Sequence, residues 1–111
     1  MQVNNCPSND NTYKQVPAIK NLIFKSGDGL IIPFLFTDSI AGITFEANIY
    51  NDVGQVASFD IVPDGINPLL IRLKLSNEIS STLLGNYTWS FSWLVDGFLR
   101  TLVEGTCKAV I

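Results

Sequence analysis

Histidine is missing from this sequence altogether, which removes the commonest general base and the usual nitrogen ligand of transition metals. Cysteine is limited to Cys6 and Cys107, and two thiols are too few to complete a metal site. Charged residues make up only 15% of the chain, against roughly 25% in an average soluble domain. The seven basic residues are scattered singly under a net charge of −3, so the electrostatic footprint of a nucleic-acid binder is not there. No apolar run reaches the ~20 residues that span a bilayer. The longest, residues 30–36, is interrupted by Pro33. The polar start of the chain lacks the basic and apolar regions of a secretory leader. From these shortages we expect no cofactor, no metal, no nucleic-acid partner and no membrane partner.

Apolar side chains, by contrast, are in surplus. They form 47% of 111 residues, a length that suits one domain with a real core. An excess of apolar material over what one small core needs is expected to surface as patches that meet partners, which predicts a homo-oligomer or a symmetric multi-copy assembly. Residues 1–18, rich in Asn, Ser and Asp and punctuated by Pro7 and Pro17, read as an extended N-terminal arm. Residues 19–111 read as the folded domain.

Within that domain the dominant spacing is period 2, which puts alternate side chains on one face of a strand. Leu30, Ile32, Phe34 and Phe36 form one row, with Pro33 marking an edge strand because it cannot donate to a ladder. Ile43, Phe45, Ala47 and Ile49 form a second, and residues 56–62 a returning strand. Leu69, Ile71, Leu73 and Leu75 alternate with Arg72 and Lys74. Residues 76–84 break the pattern, predicting one or two helical turns that plug an end of the fold and stop at Gly85. Tyr87, Trp89, Phe91, Trp93 and Val95 face one way, and Asp96-Gly97 then predicts a type I′ hairpin. Residues 98–103 return, and a last strand follows Gly105. Seven or eight short strands with turns every ~8 to 12 residues predict an all-β, antiparallel sandwich of the immunoglobulin-like kind.

Each candidate site has a plainer reading beside it. Asp28, Asp52, Asp64 and Asp96 sit near glycines in predicted turns, where Asp and Gly are favoured for local hydrogen bonding and positive φ, and no calcium-loop spacing is present. The aromatic row is read as core, with Tyr50, Tyr87 and Trp93 as the aromatics placed for exposure and for stacking on a sugar or base. Cys6 and Cys107 would close nearly the whole chain into one loop if bridged; unpaired thiols are the alternative, favoured in a cytoplasmic setting. Asn86-Tyr87-Thr88 matches a glycosylation sequon without a secretory leader to give it force. No base stands at a diagnostic spacing from a serine or carboxylate, so no catalytic residue is assigned and no enzyme is expected. In the arm, Tyr13, Val16 and Pro17 are the residues expected to contact other subunits.

Five segments, taken in order, resemble a module of bacteriophage virion proteins, found in N-terminal domains of baseplate upper proteins and in small proteins associated with tail fibres. They are Lys25-Ser26-Gly27-Asp28-Gly29 leading into Ile31-Ile32-Pro33-Phe34; residues 43–50; residues 73–76; Leu84-Gly85-Asn86-Tyr87-Thr88-Trp89; and residues 96–106, with Arg100-Thr101-Leu102 at their centre. The resemblance spans residues 19–111 and departs at residues 38–42, where a Gly-x-x-x-Asp-Leu-type stretch is usual. It implies a structural, non-enzymatic virion component of the tail, baseplate or fibre-attachment region. Such a component would be made in the host bacterial cytoplasm and joined to other virion proteins through its arm and edge strands. Two alternatives stand beside this: a capsid decoration or cement protein, and a receptor- or glycan-binding module.

Overall fold

A computed structural model describes residues 17–111. Nine strands and one short helix follow one another: β1 (Ala18–Ile19), β2 (Leu22–Lys25), β3 (Leu30–Leu35), β4 (Thr44–Tyr50), β5 (Gln55–Ser58), β6 (Asp60–Pro63), β7 (Leu70–Leu75), α1 (Asn77–Ser80), β8 (Gly85–Val95) and β9 (Phe98–Val110). They form two sheets, one in the order β1-β9-β8-β4-β5 with β2 also paired to β9, the other in the order β3-β7-β6. The all-β, two-sheet expectation holds. Among the described residues nine strands are formed against the seven or eight expected, and the large sheet is not wholly antiparallel, because β1 and β2 run parallel to β9. The row Leu22, Phe24 against Ile23, Lys25 carried the period-2 pattern for β2, but its closeness to the arm hid it.

Between the sheets lies one core, built from the inward rows anticipated along the strands. Ile32, Ile49, Leu73, Trp89 and Phe91 are buried at its centre, and Phe34 and Phe45 pack their rings on Phe91 at centroid distances of 4.8 and 5.5 Å. Truncating such a side chain to Ala costs ~3–5 kcal/mol. The outer face of the large sheet is polar. There Gln55 Nε2 donates to Ser58 Oγ, Ser58 Oγ to Asn48 Oδ1, and Asn48 Nδ2 to Glu46 Oε1.

Two strands depart from their sequence reading for visible reasons. Residues 56–62 do not make a single strand, because the chain leaves the large sheet at Ser58, buries Phe59 edge-on against Trp89, and continues in the small sheet as β6. Residues 98–110, conversely, form one unbroken strand across Gly105. That glycine does not end a strand. A side chain there would collide with the Lys20 carbonyl and come within 2.8 Å of Asn21 Oδ1. Its bare Cα lets the β1–β2 link lie against β9, where Lys20 N–H donates to Glu104 O and Thr106 N–H to Asn21 Oδ1. The Trp89 indole, opposite Gly105 in the ladder, donates to the Lys20 carbonyl at 2.7 Å.

α1 lies where the helical turn was expected. Ser76 caps it, accepting from Ile79 N–H, and Gly85 at φ +105° starts the next strand. Among the described residues, no helix is long and apolar enough to cross a membrane.

Candidate binding surface

The β8–β9 hairpin is the longest element, with strands of 11 and 13 residues against four to six in the small sheet. Its turn is the expected I′ type, with Asp96 at φ +52° and Gly97 at φ +81°. β4 accompanies β8 only as far as the Thr44–Leu94 pair, so the turn projects beyond the neighbouring strand. Leu94 and Leu99 share the outer face of this tip as a ladder pair, and Phe98 takes the other face. Phe98 is 71% exposed, Leu99 56% and Leu94 44%. Three large apolar side chains on one projecting turn form the kind of surface patch that meets a partner.

Beside the tip, at the same end of the molecule, the side of the sandwich is open. β5 pairs β4 only along residues 48–50, and the last bond on that side runs from Phe59 N–H to the Ala47 carbonyl. The chain then crosses to the small sheet. Among the described residues nothing pairs with β4 on that side over residues 44–46. In an antiparallel ladder alternate residues direct their N–H and C=O the same way, so Phe45 turns its backbone groups toward this gap, as Ala47 does. Here lies a cleft of about 640 Å³, lined by Ile40, Phe45, Ile61, Leu69 and Ile71 among others. Asp38 is the single charged residue on its wall.

No protein-family model matches this chain, and no curated protein is significantly similar to it. The reading of its surface therefore rests on its own geometry.

The two edges of the small sheet are blunted in a way the sequence partly announced. Phe36 N–H donates to the Leu69 carbonyl, so the even-numbered residues of β3 face β7, and Ile31, Pro33 and Leu35 face outward. Pro33 thereby removes the middle donor of that edge. On the opposite edge of the small sheet, Asp64 N–H donates to the Leu70 carbonyl, which turns Ile61 and Pro63 outward, and Pro63 again carries no donor. Prolines placed this way discourage strand addition.

Of the aromatics expected at the surface, Tyr50, Tyr87 and Trp93 are all half-buried. They are not brought together. Tyr87 is spent on its own loop, its hydroxyl accepting from Leu84 N–H at 3.0 Å and donating to Leu84 O at 3.1 Å. Trp93 lies on the inner face between Phe45 and Arg100 in the ladder. Its Nε1 is shielded from solvent and has no hydrogen-bond partner among the described residues. Tyr50 borders a shallow outer-face groove of about 490 Å³ with Thr88, Ser90, Thr101 and Glu104.

Pro17 is half-buried immediately before β1. Tyr13 and Val16 lie outside the described residues, as does Cys6. Among the described residues Cys107 has no disulfide partner; it is fully buried in β9, where loss of solvent pushes the pKa of its thiol up to about 11. The four turn aspartates stand in four separate turns. Asp64 is the one with a marked shift. Its carboxylate accepts from Arg72 Nη1 at 2.7 Å and from the N–H groups of Asn67 and Ile66, and these bonds lower its pKa from 3.8 to about 2. That arrangement pins the 63–69 loop, three of whose residues, Pro63, Pro68 and Leu69, line the cleft.

Proposed function

We propose that this chain is a non-enzymatic assembly module with an immunoglobulin-like core, serving as a structural component of a bacteriophage particle in the tail, baseplate or fibre-attachment region. The observation that carries the assembly reading is the hairpin tip, where Leu94, Phe98 and Leu99 are exposed at and just beyond the end of β4, beside an open apolar cleft. Such exposure is unfavourable for an isolated domain and is removed when a partner covers it.

The immunoglobulin-like reading is supported by topology. A three-stranded sheet in the order β6-β7-β3 facing β5-β4-β8-β9, with an N-terminal strand parallel to the last, corresponds to the DEB and C′CFG strands of variable-type domains. Tyr87, at the start of β8 with its hydroxyl bound three residues upstream, matches the tyrosine corner of that fold. Two residues on, where antibody domains carry a disulfide cysteine, stands Trp89. In this frame the β8–β9 turn and the 36–43 loop occupy the end that variable domains use for binding. The phage assignment rests on the five resembling segments, two of which, Leu84-Gly85-Asn86-Tyr87 and residues 96–106, build the tyrosine corner and the tip strand.

The test is a double variant, Phe98→Ser with Leu99→Ser. Both residues are exposed, so folding stability is expected to stay within about 0.5 kcal/mol of the parent. Incorporation of the tagged chain into purified particles is expected to fall by about tenfold or more, as loss of interface anchors would produce. Undiminished incorporation would remove the tip from the reading, and absence of the parent chain from particles by mass spectrometry would remove the reading itself.

A receptor- or glycan-binding role is favoured by one separate observation, the Tyr50 groove with its hydroxyls and Glu104. Glycan-array binding that Tyr50→Ala abolishes would move the assignment to that class.

A further inference from the structure

We propose that the open side of β4 is a strand-accepting site, filled by the arm of a second copy of this chain, with Tyr13 seated in the cleft and Lys14 beside Asp38. The inference rests on the assembly reading and names the site at which it occurs. Three observations converge on it.

The first is that the gap offers backbone as well as apolar surface. Among the described residues, 44–46 of β4 lack a neighbour on one side, where Phe45 lines a cleft walled by Ile61, Leu69 and Ile71. An extended segment satisfies both at once, through ladder bonds and through side chains entering every second position. The edges of β3 and β6 are blunted by Pro33 and Pro63, whereas this stretch of β4 contains no proline.

The second is the chain outside the described residues and where it joins. Sixteen residues precede Pro17. β1 runs parallel to β9, and β9 leaves the hairpin turn at Phe98, so the chain enters β1 from the end of the molecule that holds the cleft. For Tyr13 of the same chain, that cleft lies at about the limit of the chain's reach. Five residues span at most about 18 Å, while Ala18 stands three strands from β4, about 14 Å across the sheet, with a sandwich ~10 Å thick still to be rounded. A neighbouring copy has no such restriction.

The third is charge. Asp38 is the one charged residue lining the cleft, and it is exposed. Lys14 is the sole basic residue of positions 1–16 and adjoins the sole aromatic there, Tyr13. An aromatic anchor next to a cation complements an apolar cleft with one carboxylate at its rim.

Replacing Tyr13 of the full-length chain by a photo-cross-linking phenylalanine analogue tests this directly. An equal mixture of ¹⁴N- and ¹⁵N-labelled protein is irradiated and its cross-linked peptides are mapped. The expected products join position 13 to residues 38–45, 61–63 or 68–71, and half of them carry mixed labels. Lys14→Glu is expected to lower their yield about two- to fivefold, the scale of an exposed ion pair, and adding Asp38→Lys to restore it. Cross-links confined to one label would place the arm in its own cleft, and cross-links elsewhere, or none, would empty the site; each overturns the proposal. None of these outcomes depends on particles, so a chain absent from virions with the expected cross-links would overturn the phage reading alone.

Discussion

The two ends of this sandwich are built to opposite specifications. At the end that holds α1, polar groups are matched and part of the apolar surface is covered: Ser80 and Leu83 are buried, although Ile79 and Leu84 stay exposed, Gly27 N–H donates to Ser80 Oγ, Asn77 Nδ2 donates to Gly27 O, and the Tyr87 hydroxyl closes the loop into β8. At the hairpin end, among the described residues, Phe98 and Leu99 stand in solvent, a strand edge is unpaired, and the Trp93 indole N–H is shielded without a partner. Shielded polar groups without partners are few in native domains and call for an explanation. Satisfaction at one end and its lack at the other are what the proposed division of labour predicts, the α1 end serving the fold and the hairpin end meeting a partner.

That contrast is broken most sharply by a substitution at the closed end. Leu83→Ala deletes a side chain only 2% exposed that lies between α1 and the core. We expect it to cost about 2–4 kcal/mol in urea denaturation, from lost transfer energy and the cavity left behind, with no change in the position-13 cross-links of the folded fraction. A loss below 1 kcal/mol would mean that this end is no better packed than the other.

A smaller effect is expected from Tyr87→Phe. The ring stays, and the hydroxyl's two bonds to Leu84 are lost. Each such bond contributes ~1 kcal/mol net, and the groups freed on Leu84 are exposed enough to turn to water, so a loss of about 1–2 kcal/mol is expected by chemical denaturation. A neutral result would remove the tyrosine corner from the account of the closed end.

How much of this was legible beforehand follows the same division. The helical turn at this end was legible because its signals are local in sequence: α1 falls inside residues 76–84, but it ends at Ser80 with Ser81 as its C-cap, so Gly85 starts β8 and does not stop the helix. The Asp96-Gly97 turn was read for the same reason. What escaped was non-local. Gly105 looked like a strand boundary because nothing nearby reveals that the Lys20 carbonyl, 85 positions upstream, passes over its Cα. The switch at Phe59 was hidden because residues 56–62 keep a strand-like pattern through the change of sheet. The cleft is a consequence of that switch, so it too was beyond local reading. Phe98 and Leu99 were visible as apolar residues, but only the mismatch in length between the hairpin and β4 shows that they are left uncovered.

One group at the open end is fully engaged, and it sharpens the comparison with the smallest effect. Asp64 holds the 63–69 loop by accepting from Arg72, Asn67 and Ile66, which lowers its pKa from 3.8 to about 2. A carboxyl group with a depressed folded-state pKa contributes stability that is fully present above its unfolded value, near pH 4, and is lost as pH falls toward the folded value. Arg72 stays charged throughout, so the titration belongs to Asp64. Asp64→Asn keeps an acceptor for the loop N–H groups and removes the charge. The stability gap between parent and variant, read from urea midpoints, is therefore expected to be level from pH 7 to about pH 4.5 and to narrow between about pH 4 and pH 2. A gap that persists at pH 2 would assign the variant's loss to loop geometry instead of to the ion pair. It would also mean that electrostatics contribute nothing to the shape of the cleft wall beside Leu69.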